Sequence, residues 1–122
     1  MFQIDLMSRT PIYEQLIDQT EKLILAGILN PLDKMPSVRS LSSKLSVNPN
    51  TIQRAYTDMC NMGILVSMAG RGCYVTKDAP EIIRRDALKK FEPLDQIVGE
   101  LKLAGIDLEQ IIEHIKETYN NM

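Results

Sequence analysis

The chain has 122 residues, 44% of them hydrophobic and 25% charged, with a formal net charge of −2. That length suits one compact domain, or a small domain with an added oligomerisation element, and that balance excludes the disordered class. No apolar run is long enough to span a bilayer as a helix, the start Met1-Phe2-Gln3-Ile4-Asp5 lacks the basic and apolar stretches of a secretory signal, and Cys60 and Cys73 are too few for a disulfide framework, so a cytoplasmic protein is expected.

The charge is unevenly spread. Between Asp33 and Lys77 six basic residues (Lys34, Arg39, Lys44, Arg54, Arg71, Lys77) face two acids (Asp33, Asp58), a balance of +4; from Ala79 to Met122 six basic residues face nine acids, a balance of −3. The first block has the footprint of a phosphate-binding segment, and the second has no reason to approach phosphates.

In chain order, Thr10-Pro11 reads as an N-cap followed by proline at the first helical position, and predicts a helix from about Pro11 to Ala26 with Gly27 at its C-terminal end. Asn30-Pro31-Leu32-Asp33 reads as a turn. Ser37 caps a short second helix whose inner side holds Val38, Leu41 and Leu45. Asn48-Pro49 repeats the cap-plus-proline signal and predicts a third helix to about Asn61, ending at Gly63. Its Ile52, Ala55, Tyr56 and Met59 recur at helical spacing as a core face. Asn50, Arg54, Thr57 and Asn61 point away from that face, with Gln53 on the flank.

Two helices that open with start signals and are joined by a short link, the second turning hydrogen-bonding side chains outward, make a helix-turn-helix. Ile64–Met68 and Cys73–Thr76 are rich in β-formers, and Ala69-Gly70-Arg71-Gly72 between them supplies a hairpin turn with Arg71 at its tip; this is a wing. Lys77-Asp78-Ala79-Pro80 marks the boundary to a helical tail. Ala87, Phe91, Leu94, Val98 and Leu101 follow the spacing of a helix-packing seam, which Pro93 interrupts, so the helix should kink or restart near Glu92. Asp107 and Gln110 cap a last helix with an apolar stripe of Leu108, Ile111, Ile112 and Ile115. Two short helices cannot bury these stripes alone, and the first helix of the winged domain or the same tail of a second chain would cover them.

The chemistry follows from the outward face. Asn50 and Gln53 suit bidentate bonds to adenine and Arg54 suits guanine. Arg39 and Thr51 are placed to hold phosphates and set register, with Ser37 at the start of the same helix as Arg39. Gly70 and Arg71 suit the minor groove or its phosphates. Asn48 serves the cap, Tyr13 and Tyr56 the core, and the cysteines pack as small apolar residues. His114 lies on a solvated face. No nucleophile, base and orienting group assemble, so no enzyme, metal or cofactor is expected.

These residues resemble the winged helix-turn-helix of the GntR family of bacterial transcription regulators. The matching segments are Pro11-Ile12-Tyr13-Glu14-Gln15, Gly27-Ile28-Leu29, Pro36-Ser37-Val38-Arg39, Leu45-Ser46-Val47, Asn50-Thr51-Ile52, Ala55-Tyr56 and Gly70-Arg71-Gly72-Cys73-Tyr74-Val75, in order and spacing over roughly residues 10 to 76. Pro49 stands where many members carry a basic residue, which shifts weight to Asn50, Gln53 and Arg54. The short tail resembles the YtrA-type branch, and that likeness implies a homodimer built by the tail and repression of neighbouring genes for ATP-driven transporters.

The expected protein is therefore of the α+β class, mainly α: a winged helix-turn-helix DNA-binding domain over residues 1–77 and a two-helix dimerisation tail over 78–122. Its expected function is that of a homodimeric repressor of a near-palindromic operator, with double-stranded DNA as partner, no membrane, and an unknown effector. Two other readings are a winged helix used as a protein-interaction module without specific DNA binding, and a ligand-sensing regulator with a small pocket near the tail or at the dimer seam.

Overall fold

Helix α1 spans Ile12–Leu25, one residue inside the predicted start: Pro11 occupies the cap position with φ −54° and ψ 149° and makes no side-chain cap bond. The Thr10 hydroxyl predicted to cap the helix makes no cap bond, and a glutamine in the helix instead ties down the segment that precedes it. Gln15, which is buried, donates through Nε2 to the carbonyls of Thr10 (2.8 Å) and Asp5 (3.0 Å) and accepts at Oε1 from the Asp5 N–H (2.9 Å). One turn later Gln19 accepts from the Gln3 N–H at 2.9 Å and donates back to the Gln3 carbonyl. Four helical residues rise about 6 Å and two extended residues about 6.6 Å, so glutamines four apart on a helix present amides in step with alternate residues of an extended strand. The N-terminal segment is thereby held along α1 with Phe2 buried in the core. Gln15→Ala removes three hydrogen bonds at once and is expected to lower stability by about 1–3 kcal/mol in urea unfolding; a change below about 0.5 kcal/mol would show that the strap adds nothing.

Helices α2 (Val38–Leu45) and α3 (Pro49–Asn61) form with the boundaries their caps announce. Ser37 Oγ accepts from the Ser40 N–H at 3.0 Å, and Asn48 Oδ1 accepts from the Asn50 N–H at 2.8 Å. Between them Ser46 takes the left-handed conformation, φ 54°, which turns the chain sharply enough for α3 to follow at once. The wing is an antiparallel pair, β1 (Leu65–Met68) and β2 (Gly72–Val75), in the register Leu65 with Val75 and Met68 with Gly72. The fully buried residues Leu16, Ile52, Met59, Ile64 and Val75 come from α1, α3 and the base of the wing, so one core sets α3 and the wing against each other.

The turn predicted at Asn30–Asp33 forms, with the Asp33 N–H on the Asn30 carbonyl at 3.0 Å. The chain then does something its local sequence does not announce. It pairs along the free edge of β2: Leu32 N–H to Val75 O at 2.8 Å, Val75 N–H to Asp33 O at 2.9 Å and Met35 N–H to Cys73 O at 2.8 Å. A bridge between Lys34 and Tyr74 makes this a third edge for the wing.

The computed structural model describes residues 1–122 as two compact units, Met1–Arg85 and Asp86–Met122. The first takes in most of a helix beyond the two the tail was expected to hold, α4 (Ala79–Ala87), whose Ala79 and Ile83 are buried in the core. In the second, a 3-10 turn at Leu88–Lys90 leads into α5 (Phe91–Leu103), and α6 spans Leu108–Asn120. Pro93 falls in the first turn of α5, where a missing N–H forfeits no helical bond, so the expected restart falls at Phe91. Asp107 Oδ1 caps α6 by accepting from the Gln110 N–H at 2.8 Å. Between α5 and α6 lies an apolar groove of about 390 Å³ lined by Leu94, Ile97, Leu101, Ile111 and Ile115. Only Ile111 of the α6 stripe is buried, and Phe91 on α5 is 59% exposed. No helix is long and apolar enough to cross a membrane.

Candidate nucleic-acid interface

An open concavity of about 560 Å³ lies between the start of α2, the outer side of α3 and the wing. Of the residues assigned from sequence, Ser37, Gln53, Gly70 and Arg71 line it together. Ser37 uses an oxygen lone pair for the cap, which leaves its O–H free to donate outward. Gln53 Nε2 donates to Thr57 Oγ1 at 3.2 Å, which steadies an otherwise exposed side chain. The Arg71 N–H closes the wing tip on the Met68 carbonyl at 2.9 Å, and the Tyr74 hydroxyl donates to the Arg71 carbonyl at 3.2 Å. The lining carries two cations, Lys34 and Arg71, and no carboxylate.

Arg39, Asn50, Thr51 and Arg54 lie outside this concavity. Arg39 and Asn50 are exposed on the first turns of α2 and α3, and Thr51 is half-buried. Arg54 turns toward α1, its guanidinium 3.8 Å from the centre of the Tyr13 ring, a cation–π contact worth about 0.5–1 kcal/mol at an exposed site. Tyr13 is thus a rest for Arg54 as well as a half-buried packing residue. Lys34 joins this site without having been expected there from the sequence. The only local signal was its place in the basic block, because what brings it here is the pairing of the third edge with β2.

Tyr56 ties the elements together from below. It is buried, and its hydroxyl donates to the Pro36 carbonyl at 2.6 Å, pinning the start of α2 to α3. Burial, reinforced by the neighbouring Cys73, raises its pKa above the usual tyrosine value. Cys60 and Cys73 lie side by side in the lining of the concavity, and burial first, then the neighbouring Cys60, pushes the Cys73 thiol up to about 12 from 9.0. The unfolded thiol ionises near 9.0 and the folded one near 12, so the contribution to stability is intact below pH 9 and is lost as pH rises toward 12. Thiol–disulfide exchange of Cys73 with a small aromatic disulfide at pH 8 is expected to be slower in the folded than in the unfolded chain. Mass mapping of each cysteine measures it, and equal rates would contradict the burial.

A helix-turn-helix whose second helix carries an exposed polar face, followed by a hairpin with a cationic glycine-flanked tip, defines the winged helix-turn-helix class of nucleic-acid-binding domains. The model of the bacterial regulatory proteins of the gntR family matches residues 12–75, and the chain belongs to that family. It is 42% identical to the HTH-type transcriptional repressor YtrA of Bacillus subtilis, over 96% of this chain and 91% of that one. A GntR family transcriptional regulator from Listeria monocytogenes superposes with a TM-score of 0.75 at 34% identity, covering 93% of this chain and 98% of that one. The structure of AraR(DBD) in complex with operator ORX1 matches with a TM-score of 0.54 at 29% identity, over 62% of this chain and 93% of that one. The chain is a DNA-binding transcriptional regulator.

Proposed function

We propose that the chain acts in the cytoplasm as a homodimeric repressor that occupies a near-palindromic operator. In this reading Asn50, Gln53 and Arg54 read base edges in the major groove, Arg39, Thr51 and Ser37 hold phosphates, and Gly70 and Arg71 enter the neighbouring minor groove. The observation that carries it is the convergence of Ser37, Gln53, Gly70 and Arg71 on one acid-free concavity along the outer side of α3. Similarity to a repressor along nearly the whole chain supports repression. By the resemblance to the YtrA-type branch, the genes controlled would be those of a neighbouring ATP-driven transporter.

The tail after residue 77 would join two copies through α5 and α6. The apolar groove between these helices and the exposed Phe91 support this, because such surface is costly to leave in water at about 25 cal/mol per Å². Two recognition helices would then meet half-sites about 34 Å apart, one turn of DNA. Affinity should fall on the order of 10⁻⁸–10⁻¹¹ M at physiological salt. Sedimentation velocity tests the assembly. The wild-type chain should run as a dimer at micromolar concentration, and Ile115→Asp, which places a charge in the groove, as a folded monomer with weakened operator binding. A wild-type monomer that fills both half-sites would remove the dimer from the account.

A further inference from the structure

We infer that Lys34 is a DNA-contacting residue that clamps the phosphate strand crossing between the recognition helix and the wing; this rests on the docking proposed above, with α3 in the major groove and the hairpin in the minor groove. In that docking the sugar–phosphate backbone that separates the two grooves must pass over the concavity between α3 and the wing. Lys34 belongs to neither element, yet the fold delivers it there. It lies in the third edge, bridged to Tyr74, with the backbone anchored on either side by the bonds from Val75 N–H to Asp33 O and from Met35 N–H to Cys73 O. Its neighbour Met35 is 2% exposed, and the alternation of an extended segment turns Lys34 outward.

The stem of Lys34 runs across Gly72. A Cβ at that glycine would sit 3.0 Å from Lys34 Cε and 3.8 Å from Nζ, and its φ of +101° disfavours any side chain there. Gly72 therefore both completes the hairpin and leaves the path along which the lysine reaches the concavity. No carboxylate competes for the ammonium: the lining holds none, and the adjacent Asp33 is engaged through Oδ2 by the Asn30 N–H at 2.8 Å. A lysine here is a point charge with rotatable donors, which fits a phosphate oxygen and carries no base preference.

Lys34→Met keeps the stem over Gly72 and removes the charge; Lys34→Arg keeps the charge. Binding is measured from 50 to 200 mM salt on a duplex selected from a random library and on a random-sequence duplex of equal length. Lys34→Met should weaken binding to both duplexes by the same factor and reduce the salt slope by about 0.9 per subunit, so that each wild-type subunit loses about 3.5-fold more affinity across that range. Lys34→Arg should restore the slope. A Lys34→Met protein with an unchanged slope, whatever its melting temperature, would assign the side chain to packing on Gly72 and overturn the inference. So would a loss confined to the selected duplex, which would mean base reading. If the wild-type chain itself shows no salt-dependent retention on either duplex, the docking has failed and takes the clamp with it.

Discussion

Gln53→Glu is expected to cut operator affinity by at least about 100-fold, close to 2.8 kcal/mol, while the melting temperature stays where it was. The substitution is nearly isosteric and the residue is exposed on α3, so the fold has little to lose beyond the bond to Thr57. It sets a carboxylate in a concavity that has none, where the approaching partner is a polyanion, and like charges brought together in an interface cost several kcal/mol. Gln53→Ala is the companion: it removes the base contact proposed for this side chain without adding repulsion and should cost about 1–3 kcal/mol, mostly in discrimination between sequences. Binding isotherms for both variants at one salt concentration separate the two effects. A Gln53→Glu protein that binds as tightly as the wild type would place α3 outside the interface.

The second large effect belongs to the floor beneath that helix. Ile52 is 0% exposed, one position before Gln53, and packs in the core that α1, α3 and the wing share. Ile52→Ala should cost about 2–5 kcal/mol from lost transfer energy and the cavity left behind. Typical domains have only about 5–15 kcal/mol of total stability, so the variant should be largely unfolded in moderate urea where the wild type is folded. A loss under about 1 kcal/mol would mean that the site collapses freely and that α3 is not held by this core.

What the sequence revealed and what it concealed divide along one physical line. The starts of α2, α3 and α6 were legible because a cap is a local event: Ser37, Asn48 and Asp107 each bond an N–H two or three residues away. The Schellman ends at Gly27 and Gly63 were legible for the same reason, each N–H reaching back three residues. The pairing of Leu32–Met35 with β2 was not, because its partners lie about forty residues on and the segment itself reads only as a turn. Nor was the holding of the N-terminal segment by Gln15 and Gln19, since glutamine on a helix is an ordinary surface residue until a strand lies beside it. Helix α4 was hidden in what read as the boundary and the start of the tail, Pro80 signalling a boundary when it occupies the helix's first turn, and its Ala79 and Ile83 complete the winged core.

The same line runs through the candidate site. Ser37, Gln53, Gly70 and Arg71 could be picked out from helix phase and hairpin chemistry, and they meet. Arg54 had the right phase too, but phase on one helix does not disclose a ring on another, and its guanidinium rests on Tyr13. Lys34 reaches the concavity only through long-range strand pairing. Residues placed by their own element were readable, and residues placed by a distant one were not.

Whether this fold reads DNA sequence as a dimer is decided by selecting binders from a randomised duplex library, with the winning duplex then titrated across a salt series. The expected result is an enriched inverted repeat whose half-sites lie about one helical turn apart and whose affinity falls steeply as salt rises. Recovery of no preferred sequence, with binding that is weak and indifferent to salt, would contradict it.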